Sequence, residues 1–218
     1  MTALYETQRP KTLSEICGHT KVLKRLSVLK RTTGLVGQVF WITGPSGMGK
    51  TTIARAIANE IAEPTLTQEV DAQDVTMDAL RDWERVCQLR PLFGACHCFI
   101  INEAHGLSSK VVSRLQTLLE DANVQRYSTW IFTTTNKGEK LLFDSKMDAC
   151  PFLSRAIPVK LEIEEDTINA MAQKLHDVAT ELEVNGKPVS AYVDLLFACD
   201  GNMRLAYQKI AFGEMLDQ

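Results

Sequence analysis

The stretch Gly44-Pro-Ser-Gly-Met-Gly-Lys-Thr51 constrains this chain more than any other. It has the spacing G-x-x-x-x-G-K-T of a phosphate-binding loop. The loop needs those residue types. Glycines let backbone N–H groups turn toward phosphate oxygens without a Cβ in the way. A helix that starts at the end of the loop adds the positive end of its dipole. The context is the required one: Val39–Thr43 is a short apolar, β-rich run suited to a buried parallel strand, and Ile53, Ile57 and Ile61 recur as on one helix face until Pro64 ends the pattern. The candidate nucleotide-binding residues are therefore Gly44, Pro45, Ser46, Gly47, Met48, Gly49, Lys50, Thr51 and Thr52. Lys50 is expected to reach the terminal phosphates of ATP, and the Thr51 hydroxyl to ligate Mg²⁺.

The rest of the chain reads as strands alternating with helices. Strands are expected at 69–72, 96–101, 129–134 and 156–161, and helices at 22–30, 77–88 and 108–121, the last capped by Ser108 or Ser109. That alternation predicts an α/β fold, a parallel sheet with helices on both faces. Beyond Glu162 only helical patterns remain, at 167–182, 192–199 and 203–216, with Asn185-Gly186 and Asp200-Gly201 as turns. Two domains are expected: residues 1–161, binding nucleotide, and residues 162–218, a small all-helical lid.

Phe99-Ile100-Ile101 runs into Asn102-Glu103, where a P-loop motor places Asp-Glu. Glu103 is the candidate for polarising the attacking water. Asn102, the second candidate metal residue beside Thr51, is neutral and a weaker partner for a hard cation than Asp. Asn102 is thus expected to act as a brake that Asn102→Asp releases, with Glu103 as the carboxylate that the new Asp would repel. The opposing reading is that Thr51, phosphates and waters hold the metal well enough.

The net charge of −3 over 218 residues gives no general basic surface, so any DNA contact needs a local patch. The polar N-terminus and the absence of a run of ~20 apolar residues point to a soluble, intracellular protein without membrane contact, with a cytoplasmic location expected. The six cysteines, Cys17, Cys87, Cys96, Cys98, Cys150 and Cys199, lack metal or disulfide spacing and are expected as buried thiols, Cys96 and Cys98 on one side of their strand.

Further segments resemble the AAA+ clamp-loader ATPases, the replication factor C and DNA polymerase III gamma/delta-prime group, over nearly the whole chain. Gln8-Arg9-Pro10-Lys11-Thr12-Leu13 with Ile16-Cys17-Gly18-His19 is similar to the N-terminal box that wraps adenine. Asn102-Glu103-Ala104-His105-Gly106-Leu107-Ser108 is similar to the Asp-Glu segment. Thr133-Thr134-Thr135-Asn136 is similar to sensor 1, Leu153-Ser154-Arg155 to the Ser-Arg-Cys motif with Ala156 for Cys, and Gly201-Asn202-Met203-Arg204 to sensor 2. The resemblance implies that Arg9 and Pro10 line the base site. It implies that Asn136 touches the terminal phosphate or the water, that Arg155 serves the neighbouring subunit's ATP, and that Arg204 reaches the γ-phosphate from the lid. It implies ATP and Mg²⁺ as cofactors, other AAA+ subunits across an ATP-bridged interface as partners, and a sliding clamp with primer-template DNA as the cargo. Alternatives are a helicase loader or branch-migration motor, and a non-hydrolysing ATP-binding structural subunit. The family's helical collar would follow Gln218, so contacts between the 218-residue chains are expected to be weak and ATP-dependent.

Overall fold

A computed structural model describes residues 3–145 and 153–216. Five strands form one parallel sheet: β1 (Val39–Thr43), β2 (Thr67–Asp71), β3 (His97–Asn102), β4 (Ser128–Thr134) and β5 (Ile157–Lys160). Their order is β2-β3-β4-β1-β5, so the strand leading to the phosphate loop is flanked by β4 and β5. The helices are α1 (Leu4–Thr7), α2 (Thr20–Thr32), α3 (Lys50–Ile61), α4 (Met77–Cys87), α5 (Ser109–Leu118), α6 (Ala122–Tyr127) and α7 (Asn136–Ser145), then α8 (Glu165–Glu181), α9 (Val189–Ala198) and α10 (Met203–Ala211). The expected fold class is the observed one.

The two-residue period of the strands sorts side chains to two faces. Phe40, Ile42, Cys98, Ile100 and Ile131 join α2, α3 and the C-terminal helices in one buried cluster. Trp41, Phe99, Ile101, Trp130 and Phe132 face α4, α5 and α6 in the other. There Phe99 stacks on Trp130 with ring centres 4.4 Å apart, and Trp83 of α4 packs against both. β2 is an edge strand and is polar, which explains its weak sequence signal. The first cluster runs without a break from the sheet through Met48 and Leu161 into Met171, Leu196 and Ile210.

Three elements depart from expectation. The helix expected over 108–121 is two helices. The Ser108 hydroxyl caps α5 by accepting from the Val111 N–H, and Asp121 restarts the chain by accepting from the Asn123 and Val124 N–H groups. An acidic side chain that satisfies two free donors makes a better N-cap than a helix interior residue. Neither α1 nor α7 was foreseen, since α1 is a single turn without a buried residue and α7 follows β4 with Thr135 alone between them. Cys87, Cys96, Cys98 and Cys199 are buried free thiols and Cys17 is partly buried, whereas Cys150 lies outside the described residues. Cys96 precedes β3 rather than belonging to it, yet packs in the same cluster as Cys98. No helix among the described residues is long and apolar enough to cross a membrane.

Candidate functional site

Parallel strands deliver their carboxyl ends to one edge of the sheet, and the loop Gly44–Gly49 leaves β1 there and enters α3 at Lys50. Gly47 and Gly49 stand at φ +75° and +92°, which an L side chain rarely adopts. At Gly47 there is also no room. A Cβ would come within 1.9 Å of Asn202 Oδ1, and the same asparagine caps α10 by accepting from the Leu205 N–H. The Met203 N–H donates to the Gly47 carbonyl at 3.2 Å, so loop and C-terminal helices are tied backbone to backbone. Gly47→Ala is expected to lower stability by about 2–3 kcal/mol, combining left-handed strain of ~1–2 with a lost cap of ~1. Chemical denaturation measures this; a loss under ~1 kcal/mol would show that the Gly47–Asn202 contact is not made in solution.

Lys50 is 7% exposed, and its ammonium donates to the carbonyls of Gly44 at 3.1 Å and Pro45 at 2.8 Å. Burial lowers its proton affinity below the ordinary lysine range; the charge of Arg204 adds to that and Glu103 opposes it. A buried cation held by neutral carbonyls is suited to an anionic ligand.

Beside it, Thr51 Oγ1 donates to Asn102 Oδ1 at 3.2 Å, and Thr133 Oγ1 donates to the same oxygen at 2.9 Å. The Asn102 amide nitrogen in turn donates to Glu69 Oε1 at 2.8 Å. Glu69 is held by Arg55 through two bonds, from Nε at 2.6 Å and from Nη2 at 3.0 Å. The carboxylate bonded to Asn102 is therefore Glu69, on the neighbouring strand, so an aspartate at 102 would meet Glu69 as well as the expected Glu103. Glu103 takes a left-handed backbone with φ +51°, its side chain is half exposed, and its carboxylate lies 3.4 Å from His105 Nδ1.

An open cleft lies over the loop. Ser46 to Thr52, Glu103 and Arg204 form its polar end. Arg9 and Pro10 line it from the N-terminal side together with Tyr5 and Ile16, while Met171 and Tyr207 face them from α8 and α10. Arg204, in the first turn of α10, sits over the Tyr5 ring at 5.4 Å. His19 is buried with φ +51°, its Nε2–H donating to the Met48 carbonyl at 3.0 Å, and burial lowers its pKa.

The structure thus gathers Arg9, Pro10, the loop, Thr51, Asn102, Glu103 and Arg204 in one place. Gly44, Pro45 and Asn102 lie behind the cleft wall, bonded to Lys50 and Thr51; Asn136 and Arg155, the latter expected to serve a neighbouring subunit, are not part of the wall either. Asn136 is exposed at the start of α7, and Arg155 pairs with Glu120 near the end of α5. Sequence reading missed Glu69, Arg55, Tyr5 and Tyr207. The Glu69 signal was a charged residue in the middle of a strand; the others carry no pattern until tertiary contact brings them together.

The residues present fit a magnesium nucleotide. Thr51 and Asn102 offer a hydroxyl and an amide oxygen, hard donors, and no group of three or more His, Cys, Asp or Glu able to hold a metal exists among the described residues. Such a donor set suits Mg²⁺ carried mainly by phosphates and waters rather than a protein cage.

Residues 40–148 match the family described as "ATPase family associated with various cellular activities (AAA)". The replication factor C small subunit of Haloarcula marismortui is 29% identical over 211 residues, which cover 92% of this chain and 59% of that protein. The Holliday junction branch migration complex subunit RuvB of Thermotoga petrophila is 30% identical over 126 residues, covering 53% of this chain and 34% of that one. Among solved structures, the Thermotoga maritima RuvB Holliday junction branch migration motor superposes with a TM-score of 0.70 at 22% identity, covering 94% of this chain and 64% of that one. The chain spans 59% of the length of the first of these curated relatives and 34% of the second. With half of the chain matched and the phosphate loop seated at the carboxyl edge of a five-stranded parallel sheet, this chain belongs to the AAA family of ATPases.

Proposed function

We propose that the protein is a loader-type AAA ATPase, in which ATP held in the cleft bridges two subunits and hydrolysis releases a partner, a sliding clamp placed on primer-template DNA. The observation that carries this reading is coverage: similarity to a replication factor C small subunit extends over 92% of the chain, against 53% for RuvB. The cleft lining supports a division of labour. Residues 1–161 bind the nucleotide, with Arg9 and Pro10 at the base and Lys50 at the terminal phosphates. Residues 162–218 act as the lid that brings Arg204 to the γ-phosphate. Mg²⁺, when bound, screens phosphate charge and orients the terminal phosphate. Glu103 orients and polarises the attacking water, with Asn136 beside it once the site closes. Arg155 completes a neighbouring subunit's site from outside the cleft.

A branch-migration motor is the second reading, favoured by the superposition on RuvB, which bears on the fold alone. The test is ATP turnover measured with a sliding clamp plus primer-template DNA and, separately, with four-way junction DNA, alongside direct ATP binding. Stimulation by clamp and primer-template is the expected result. Stimulation by the junction alone would establish the motor instead, and binding without turnover under every condition would establish a structural subunit.

A further inference from the structure

Four side chains from three elements close a circuit behind the phosphate loop. Thr51 and Arg55 lie four residues apart on α3, and so on one face of it. Asn102 ends β3, and Glu69 sits in the middle of the adjacent edge strand β2. The bonds run from Thr51 to Asn102, from Asn102 to Glu69 and from Arg55 back to Glu69, with Thr133 also donating to Asn102.

The chemistry of each partner dictates the sense of the next. Arg55 has only donors, and it holds the Glu69 carboxylate by both oxygens. An ionised carboxylate has only acceptors, so the Asn102 group facing it must be the NH₂. The amide oxygen is then turned to the Thr51 and Thr133 hydroxyls, each of which spends its single proton on it. The Thr51 oxygen keeps its lone pairs for a cation. An aspartate at 102 would have an acceptor at both ends and would face Glu69 across a 2.8 Å contact.

We propose that Glu69 is a positioning residue of the Mg²⁺ site: anchored by Arg55, it fixes the sense of the Asn102 amide and, through it, the Thr51 hydroxyl. Glu69 and Asn102 act as an exchanged acid–amide pair, with the charge placed one strand further out. The inference rests on the ATP reading above. It also reverses the brake: Asn102→Asp alone introduces repulsion, and only the double exchange Asn102→Asp with Glu69→Gln restores a matched pair, the new glutamine amide donating to the new carboxylate.

The experiment is a two-by-two cycle of Glu69→Gln and Asn102→Asp. ATP affinity is measured by calorimetry in EDTA, and the Mg²⁺ concentration for half-maximal effect is then titrated on the nucleotide-bound protein. Glu69→Gln is expected to raise that Mg²⁺ concentration about tenfold, the low end for losing the partner that orients a metal-site ligand, while affinity in EDTA stays unchanged. Asn102→Asp is expected to lower the melting temperature in EDTA, and adding Glu69→Gln is expected to recover it and to bring Mg²⁺ binding to at least the wild-type level. A purely structural role for Glu69 would depress binding in EDTA and in Mg²⁺ alike, and that result overturns the proposal. So does a double exchange whose effects are the sum of the single ones. If a single variant fails to fold and the double exchange folds, the pairing is supported; if the double exchange fails as well, it is overturned. Absence of ATP binding by the wild-type protein in both media would instead remove the nucleotide reading, and this inference with it.

Discussion

Arg155→Ala is expected to reduce ATP turnover by about 10³-fold while leaving the ATP affinity of the isolated chain unchanged. That loss is ~4 kcal/mol of transition-state stabilisation, the scale at which a guanidinium neutralises charge spreading over a transferring phosphoryl group. The geometry separates the two effects. Arg155 precedes β5, the strand at the outer edge of the sheet beyond β1, and its guanidinium pairs with Glu120 outside the cleft. Arg155 is not itself among the residues that line the cleft of its own chain. Its Glu120 pair is partly exposed and contributes little to stability, so the variant should fold. Mixing Arg155→Ala with Lys50→Ala chains gives the decisive measurement. An interface that combines the intact loop of the first with the intact arginine of the second should recover turnover. Full activity of Arg155→Ala alone, together with no recovery on mixing, would rule out action across an interface.

Lys50→Ala is expected to weaken ATP binding roughly 10- to 150-fold, which corresponds to ~1.5–3 kcal/mol for a charge-assisted hydrogen bond. Without a ligand the ammonium is already desolvated and held by two carbonyls, so the protein bears the burden of burying the charge before ATP arrives. A phosphate then exchanges neutral partners for an anionic one. The nucleotide-free melting temperature should therefore change little or rise in Lys50→Ala. Lys50→Met, which keeps most of the side-chain length and removes the charge, should weaken binding to the same extent. Unchanged affinity by calorimetry in both variants would mean that the loop does not hold phosphate.

Val39–Thr43, the loop after it and the helix carrying Ile53, Ile57 and Ile61 were legible because each is specified within about a dozen residues, by strand composition, glycine spacing and helical period. The same holds for β4 and α4, whose patterns are strong and whose ends are marked, α4 by a Thr76 cap that accepts from the Ala79 N–H. Where the pattern was weak the reading blurred: β2 is polar because it is an edge, and the break between α5 and α6 turns on one aspartate that could as well have stood on a helix surface.

The phosphate loop, the α/β class and the order of the strands along the chain follow from local composition and spacing, and so could be read before folding. The surroundings of Asn102 exist only in the folded sheet. Its partner Glu69 lies 33 residues earlier and Thr133 lies 31 residues later, joined only because β2, β3 and β4 are neighbours in a sheet whose order is not the order of the chain. Read alone, Asn102 was a missing charge; in the sheet it is an amide whose sense is set by the carboxylate one strand away, and a hydrogen bond between strands leaves no mark in either strand's own sequence.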